Sequence, residues 1–508
     1  MGNYLYNALY RPLTSPSIIG VIIFCLLLIA SSSEYMVNDE GIWNYIAFLW
    51  IKYGIPPYIG AIENKSPGIF MIFVISNLLF DVNIWFPRIL GSLVMVATSI
   101  VLYLIGRRLY DDLAGIIAMV IFGLSVTWKF MDGTYTAQTE SFMVLFSTLA
   151  FFFLLDSHKA RGTSLHITGI FIAGLFMGIA ISFKQTAIFS AVALFAFLLS
   201  FENNQFSSNY KNILINSFFL MAGILFPICL TLILLLVSGI TIADYSKEVW
   251  LVLLQKGGGA ELDITSRIWT FITKWRYSEM ILFYPLVLLF IIQRKRIRDN
   301  NIPFWGIIFW LSLDFLGVNA SGFYFGHQFK QVMPSLAIAS GIAISMLFQT
   351  PLIVETERRR YIVQAIVLIA ILWAPYQTLY RFYSINIKGG VEDEYGQYRE
   401  LGLWIKENTK DNDYIYLLGA HTNPAQAYSE RRSASRYFSS LFMGRDGAKQ
   451  EIIDDLTQNK PKFIIIEHRM SGSIKRVLPE LEVILKQSYQ RKMTQYDLEI
   501  YERNSLKN

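Results

Sequence analysis

Charge is what this sequence has little of. Asp, Glu, Lys and Arg make up 16% of its 508 residues, while 54% are hydrophobic, and the mean hydropathy is +0.42. A soluble chain of this size needs more charge to cover its surface, so that class is excluded. Cysteine is scarcer still. Cys25 and Cys229 both lie inside apolar runs, which reads as packing and neither as a disulfide nor as a metal site. The five histidines form no cluster, and no long repeat or low-complexity tract is visible. No cleavable signal peptide is evident, because the first apolar run has no small-residue cleavage site before the acids that follow it. A formal net charge of +6 says little alone, since in a membrane protein the placement of Lys and Arg outweighs their sum. No nucleic-acid partner is expected.

What is present in abundance is long apolar runs, each near the ~20 residues that cross a bilayer. Helices are expected near 17–33, 87–106, 113–128, 139–156, 165–183, 186–201, 213–237, 279–293, 302–318, 332–349 and 361–379. The polar breaks "GRRLYDD" (106–112), "SHKARG" (157–162), "NNQFSSNYK" (203–211), "QRKRIRDNN" (293–301) and "ETERRR" (355–360) fall at alternate positions. With eleven spans all of them share one side, and Arg11 joins them. By the positive-inside rule that side is the cytoplasm. The N-terminus is then cytoplasmic and the C-terminus extracytoplasmic, in a multi-pass protein of the cytoplasmic (inner) membrane.

Two stretches of the first outer loop, 41–53 and 69–80, are apolar but short of a span. Rich in aromatics and hinged at "PPY" (56–58), they suit helices lying along the outer interface. From about residue 390 the composition turns polar. "YIYLLG" (414–419), "KFIIIEH" (462–468) and "YDLEIYER" (496–503) read as strands, whereas 398–409 and 448–460 have helical spacing. The expected organisation is a helical transmembrane domain over 1–385 and a small extracytoplasmic α/β domain over 390–508.

Polar groups gather on the outer side. Asp39 and Glu40 end the first span, Lys65 lies in "ENKSPG", and Arg88 opens the second span. Asp132 and Glu140 occupy the next outer turn, Lys184 sits between two apolar runs, and His327 and Lys330 fill "FGHQFKQVMP". Charges at helix ends are ordinary in membrane proteins. Lys184 is harder to set aside, because an unpaired ammonium so near hydrocarbon costs ~2.5 kcal/mol or more. Carboxylates and cations together at a membrane face suit transfer of a sugar from a lipid phosphate. Fixed cations would stabilise the leaving phosphate, and a carboxylate would take the proton of the attacking hydroxyl.

The stretch "NDEGIWNYIAFLWIKYGIPPYIGAIENKSPG" (38–68) resembles the first outer loop of GT-C glycosyltransferases of the protein-mannosyltransferase and aminoarabinose-transferase superfamily, which use dolichyl- or undecaprenyl-phosphate sugars. Asp39, Glu40, Gly41, Gly54, Pro57, Tyr58, Lys65 and Pro67 carry the likeness. "AQTESFMVLFSTLA" (137–150) resembles that family's second acidic site, with Glu140 in the acidic place. The resemblance spans roughly 30–350 and implies a GT-C-like α-helical polytopic fold of about eleven spans with two outer interfacial helices. It also implies inverting transfer of a monosaccharide from a polyprenyl-phosphate donor to a lipid, glycan or protein hydroxyl. Asp39 would be the general base, with Glu40 orienting it or the acceptor. Lys65 and Lys184 would hold the phosphate, supported by Arg88, His327 and Lys330, while Glu140 and Asp132 form the second acidic site. "KSP" stands where "KPP" is commoner, and the tail differs enough that acceptor recognition does not carry over. Some relatives use a divalent metal ion and others do not; no donor cluster here compels one, and no other cofactor is indicated. The rival reading is a transporter or flippase for a lipid-linked sugar, which would keep its ionisable groups near mid-bilayer. Here the charges collect at one face, Asp314 being the main exception within an expected span.

Overall fold

The computed structural model describes residues 15–32, 35–126, 137–160, 162–202, 210–251, 264–276, 284–320, 322, 324–349, 396–439, 442–467, 478–495 and 498–504, with single residues between 373 and 383. The chain forms two compact units. The first comprises Met1–Ser33, Arg88–Leu234 and Trp250–Lys388; the second comprises Glu34–Pro87, Leu235–Val249 and Gly389–Asn508.

The first unit is a helical bundle. Helices Trp85–Leu109, Thr139–Lys159, Ser164–Phe183 and Lys211–Val237 are long and apolar enough to cross a membrane. Shorter apolar helices occupy Pro16–Ser32, Asp112–Ser125, Ala187–Glu202, Tyr284–Ile292, Phe304–Asn319 and Met333–Gln349. Ten of the expected spans therefore have a helix at their position, and the last, 361–379, lies largely outside the described residues. Polar bonds tie the basic breaks together at one end. Arg108 Nη1 lies 3.1 Å from Asp156 Oδ1, Arg296 donates to Met346 O at 3.1 Å, and Ser345 Oγ donates to Asp111 at 2.8 Å. Glu140 is at the other end of the helix that carries Asp156.

Helices Ser164–Phe183 and Tyr210–Val237 approach backbone to backbone. A Cβ on Gly174 would lie 2.2 Å from Leu220 O, and one on Gly178 would lie 2.3 Å from Ile224 O. Small residues four apart permit that closeness, which replaces the hydrophobic driving force missing between helices in lipid. Cys25 and Cys229 are free and exposed on helix surfaces, which corrects their reading as packing residues. A helix that faces lipid carries apolar residues outward as well as inward, so an apolar run does not mark a buried side chain.

In the second unit, helices Asn38–Tyr53 and Gly68–Phe80 stand at the two short apolar stretches of the loop. Between them Tyr58 adopts a φ of 69°, a costly conformation for an aromatic residue. Its hydroxyl donates to Lys65 O at 2.7 Å, and its ring packs on Phe70 and Tyr245. Helix Gly68–Phe80 leaves Met71, Ile75, Leu78, Leu79 and Phe80 exposed.

The C-terminal segment builds a sheet of β1 (Tyr414–Leu418), β2 (Arg432–Ser433), β3 (Phe463–Glu467), β4 (Tyr489–Gln495) and β5 (Leu498–Arg503) in the order β2-β1-β3-β5-β4. β1 runs parallel to β2 and β3, while β5 pairs antiparallel with β3 and β4. Ile415, Leu417, Phe463, Ile465, Leu498 and Ile500 share a face through their period of two and pack with Tyr398, Leu401 and Ile405 of helix Gly396–Glu407. The central strands are the apolar runs read in the sequence. β4 is an edge strand that the sequence pattern did not show. It is held by charged pairs instead, Arg491 to Glu499 at 3.3 Å and Lys492 to Glu502 at 3.0 Å.

Candidate active site

The loop acids of the second unit differ sharply in their surroundings. Val37 is extended and caps helix Asn38–Tyr53, which throws Asn38, Asp39 and Glu40 into the first helical turn. There a negative charge is favoured by the exposed amides. Glu40 is fully buried and accepts from Val37 N at 3.3 Å, closing its own helix start. Glu63 is buried too, accepting from Trp43 Nε1 at 3.3 Å and from Asn64 N at 2.7 Å. Burial pushes the Glu63 carboxyl up; Lys65 pulls it down, and the nearby charge of Asp39 pushes it up again. Asp39 is half-buried and makes no hydrogen bond or ion pair among the described residues. It is the loop acid whose oxygens are not engaged by the fold.

Lys65 stands beside this group. Its Nζ lies 3.9 Å from Glu63 Oε1 and donates to Asn64 Oδ1 at 3.4 Å, with a quarter of the side chain exposed. Such a partly solvated ammonium is within reach of an incoming anion. A second cation in this unit was missed. Arg445 pairs with Glu248, both nearly buried, and burial pushes its guanidinium down to about 10, with Glu63 pulling upward. Arg445 and Glu248 are far apart in the chain, and no local motif marks either. Glu63 is legible in the same polar stretch, inside "ENK", next but one to Lys65.

The first unit brings together four of the expected residues. Glu140, buried in the first turn of helix Thr139–Lys159, pairs with Lys184. It also accepts from Thr139 Oγ1 at 2.8 Å, and His327 Nε2 lies 3.8 Å from its Oε1. Lys330, fully buried in the single turn Gly326–Gln331, donates to Ser141 Oγ at 2.8 Å. Lys184 reaches this cluster because helix Ser164–Phe183 stops there and helix Ala187–Glu202 starts three residues on. The rings of Phe142 and Phe183, stacked at 5.3 Å, pack alongside. The anion that the sequence demanded for Lys184 is thus Glu140. A buried carboxylate with an ammonium and an imidazole at one oxygen is well compensated.

Arg88 is buried and donates to Ser31 O at 2.9 Å, where it satisfies a carbonyl at the end of the first helix. Asp132 lies outside the described residues. Asp314 is buried within its helix and accepts from Ser190 Oγ at 2.5 Å. Among the described residues no group of three His, Cys, Asp or Glu is placed to hold a metal ion.

Residues 64–229 match the family model of dolichyl-phosphate-mannose-protein mannosyltransferase. The match takes in Lys65, Arg88, Glu140 and Lys184. No curated protein matches the chain. Among solved structures, ArnT from Cupriavidus metallidurans bound to undecaprenyl phosphate is similar at a TM-score of 0.67 and 12% identity, over 96% of this chain and 97% of that one. The Archaeoglobus fulgidus oligosaccharyltransferase in complex with zinc and sulfate is similar at 0.61 and 13%, over 96% of this chain and 73% of that one. The archaeal oligosaccharyltransferase AglB from the same organism, in complex with an inhibitory peptide and a dolichol-phosphate, gives 0.55 and 12%, over 99% and 75%. At these identities the likeness is one of fold. By that likeness the chain has a GT-C-like polytopic helical fold, and over residues 64–229 it is similar to the mannosyltransferase family.

Proposed function

We propose that this protein catalyses inverting transfer of a monosaccharide from a polyprenyl-phosphate donor to an acceptor hydroxyl at the outer face of the cytoplasmic membrane. The observation that carries the reading is the sorting of the loop acids. Glu40 and Glu63 are buried and engaged, whereas Asp39 keeps its oxygens for another partner. Family model and fold support the class of reaction.

In this reading Asp39 takes the proton of the acceptor O–H as the acceptor oxygen attacks the anomeric carbon of the sugar. The carbon–oxygen bond to phosphate breaks, its electron pair stays on the phosphate oxygen, and the anomeric configuration inverts. Polyprenyl phosphate leaves, and the proton on Asp39 passes to water. Lys65 stabilises the charge growing on the leaving phosphate. The cluster of Lys184, His327 and Lys330 in the other unit is the alternative phosphate holder, and its pairing with Glu140 makes it the less available of the two. The exposed apolar face of helix Gly68–Phe80 suits contact with lipid. The basic breaks gathered at one end of the first unit support a cytoplasmic placement of that end.

The test is an assay in proteoliposomes with short-chain polyprenyl-phosphate sugars. Wild type is expected to release polyprenyl phosphate and Asp39→Asn to lose at least about a hundredfold in rate, the scale of a lost general base. Equal release by both would remove Asp39 from the chemistry. Labelled lipid crossing the bilayer without turnover would replace the transferase by a transporter.

A further inference from the structure

Helix Asn38–Tyr53 meets the C-terminal segment along one stripe, through Asn38, Gly41, Tyr45 and Lys52, at intervals of three, four and seven residues. At its far end Lys52 Nζ lies 3.5 Å from Asp411 Oδ2, and Tyr53 donates to Asp411 O at 3.3 Å. In the middle Tyr45 Oη accepts from Ser433 N at 2.6 Å, and its ring meets the edge of Phe438 at 5.1 Å. Nearer the start, a Cβ on Gly41 would lie 2.5 Å from Pro424 N, so only glycine permits this approach. The stripe ends at Asn38. Its Nδ2 donates to Ala420 O at 2.9 Å, its Oδ1 accepts from Asn423 N at 3.4 Å, and its own carbonyl accepts from Asn423 Nδ2 at 3.3 Å. The turn that grips it leaves the carboxyl end of β1 and is anchored in turn, because Ala420 N donates to Glu467 Oε2 at 2.8 Å, at the end of β3.

We propose that Asn38 and Asn423 are positioning residues for Asp39, so that the C-terminal sheet sets the direction of the base. The inference rests on the reading of Asp39 given above. Asp39 makes no polar bond of its own among the described residues, so the backbone of the first helical turn governs where its carboxylate points. The preceding residue is held by three hydrogen bonds from a loop fixed to the sheet. Loss of that grip lets the turn fray by an ångström or so, which is enough to slow a positioned proton transfer ten- to a hundredfold, roughly.

The test measures kcat and KM for a short-chain polyprenyl-phosphate sugar in proteoliposomes, for wild type, Asn38→Ala, Asn423→Ala, their double variant, Tyr45→Phe and Asp39→Asn. Both single alanine variants are expected to lose about tenfold or more in kcat with KM little changed. The double variant should lose no more than the worse single one, as coupled residues do. Tyr45→Phe loosens the same interface away from Asp39, and is expected to lower the melting temperature while keeping kcat. Unchanged kcat in both single variants, with Asp39→Asn inactive, overturns the proposal and leaves the base assignment standing. An active Asp39→Asn overturns the base assignment itself. Equal losses in Tyr45→Phe and the asparagine variants mean a merely structural interface and also overturn it. If the alanine variants do not fold, Asn423→Asp keeps the shape but loses the side-chain donor; lower kcat supports the proposal, and wild-type kcat refutes it.

Discussion

The Glu63 carboxyl lies under Trp43 with an indole N–H and a backbone N–H on its oxygens, and burial still makes its charged form costly. Its folded pKa is raised above the unfolded value, so the folded state holds the proton more tightly. The stability this contributes is present below the unfolded carboxylate pKa, near 4.3, and is lost as pH rises through the folded value. Replacement by a neutral isostere is therefore predicted to help at the higher pH. Glu63→Gln should melt above wild type at pH 7.5, with the gap closing by about pH 4. Melting curves of the detergent-solubilised protein across that range would show it, and a gap constant with pH would rule out the buried charge as its cause. Glu140 poses the opposite case. Its carboxylate is compensated by Lys184, and Lys184→Met leaves the charge buried without its direct ammonium partner. Breaking a buried pair from one side costs roughly 3–5 kcal/mol. A large drop in melting temperature is expected for Lys184→Met, with most of it recovered in Glu140→Gln/Lys184→Met.

At the scale of elements, helix Ser164–Phe183 owes its place to what Gly174 and Gly178 lack. Their Cα atoms face carbonyls of Leu220 and Ile224 at distances that no side chain survives. Gly174→Val is predicted to force the two helices apart, and over-packing of this kind costs about 1–3 kcal/mol or more. The matched change Gly162→Val tests only the loop, where a Cβ meets nothing but φ is 85°. Thermal melting should rank Gly174→Val well below wild type. The sequence showed these elements where composition alone decides them, as apolar runs for the bundle and as "YIYLLG" and "FIIIE" for the central strands. It did not show β4, whose partners are cross-strand charges, nor the short helix Asn423–Ser429 that receives Gly41. The candidate site was legible in part for the same reason. An acid pair after an apolar run and a lysine before a proline can be read locally. Which acid keeps its oxygens cannot, because Glu40 is settled by the turn at Val37 and Asn38 by a residue 385 positions away.

For the whole molecule, each unit presents cations that could receive the phosphate of the proposed donor. A ligand that binds the folded state stabilises it by RT ln(1 + [L]/Kd), about 2.7 kcal/mol at a hundredfold excess over Kd. Short-chain polyprenyl phosphate is thus expected to raise the melting temperature of wild type by several degrees. Lys65 is a quarter exposed, so an anion can reach it from solvent. Lys184 is bonded to a buried carboxylate that would have to find another cation. Lys65→Met should therefore abolish the thermal shift, while the pair-neutral variant Glu140→Gln/Lys184→Met retains it. Asp39→Asn should retain it as well, because removing the base leaves the phosphate contact intact and relieves repulsion between two anions. A shift lost only in the pair-neutral variant would transfer the phosphate to the cluster of the first unit. It would also leave Asp39 and its asparagine grip to be judged on turnover alone.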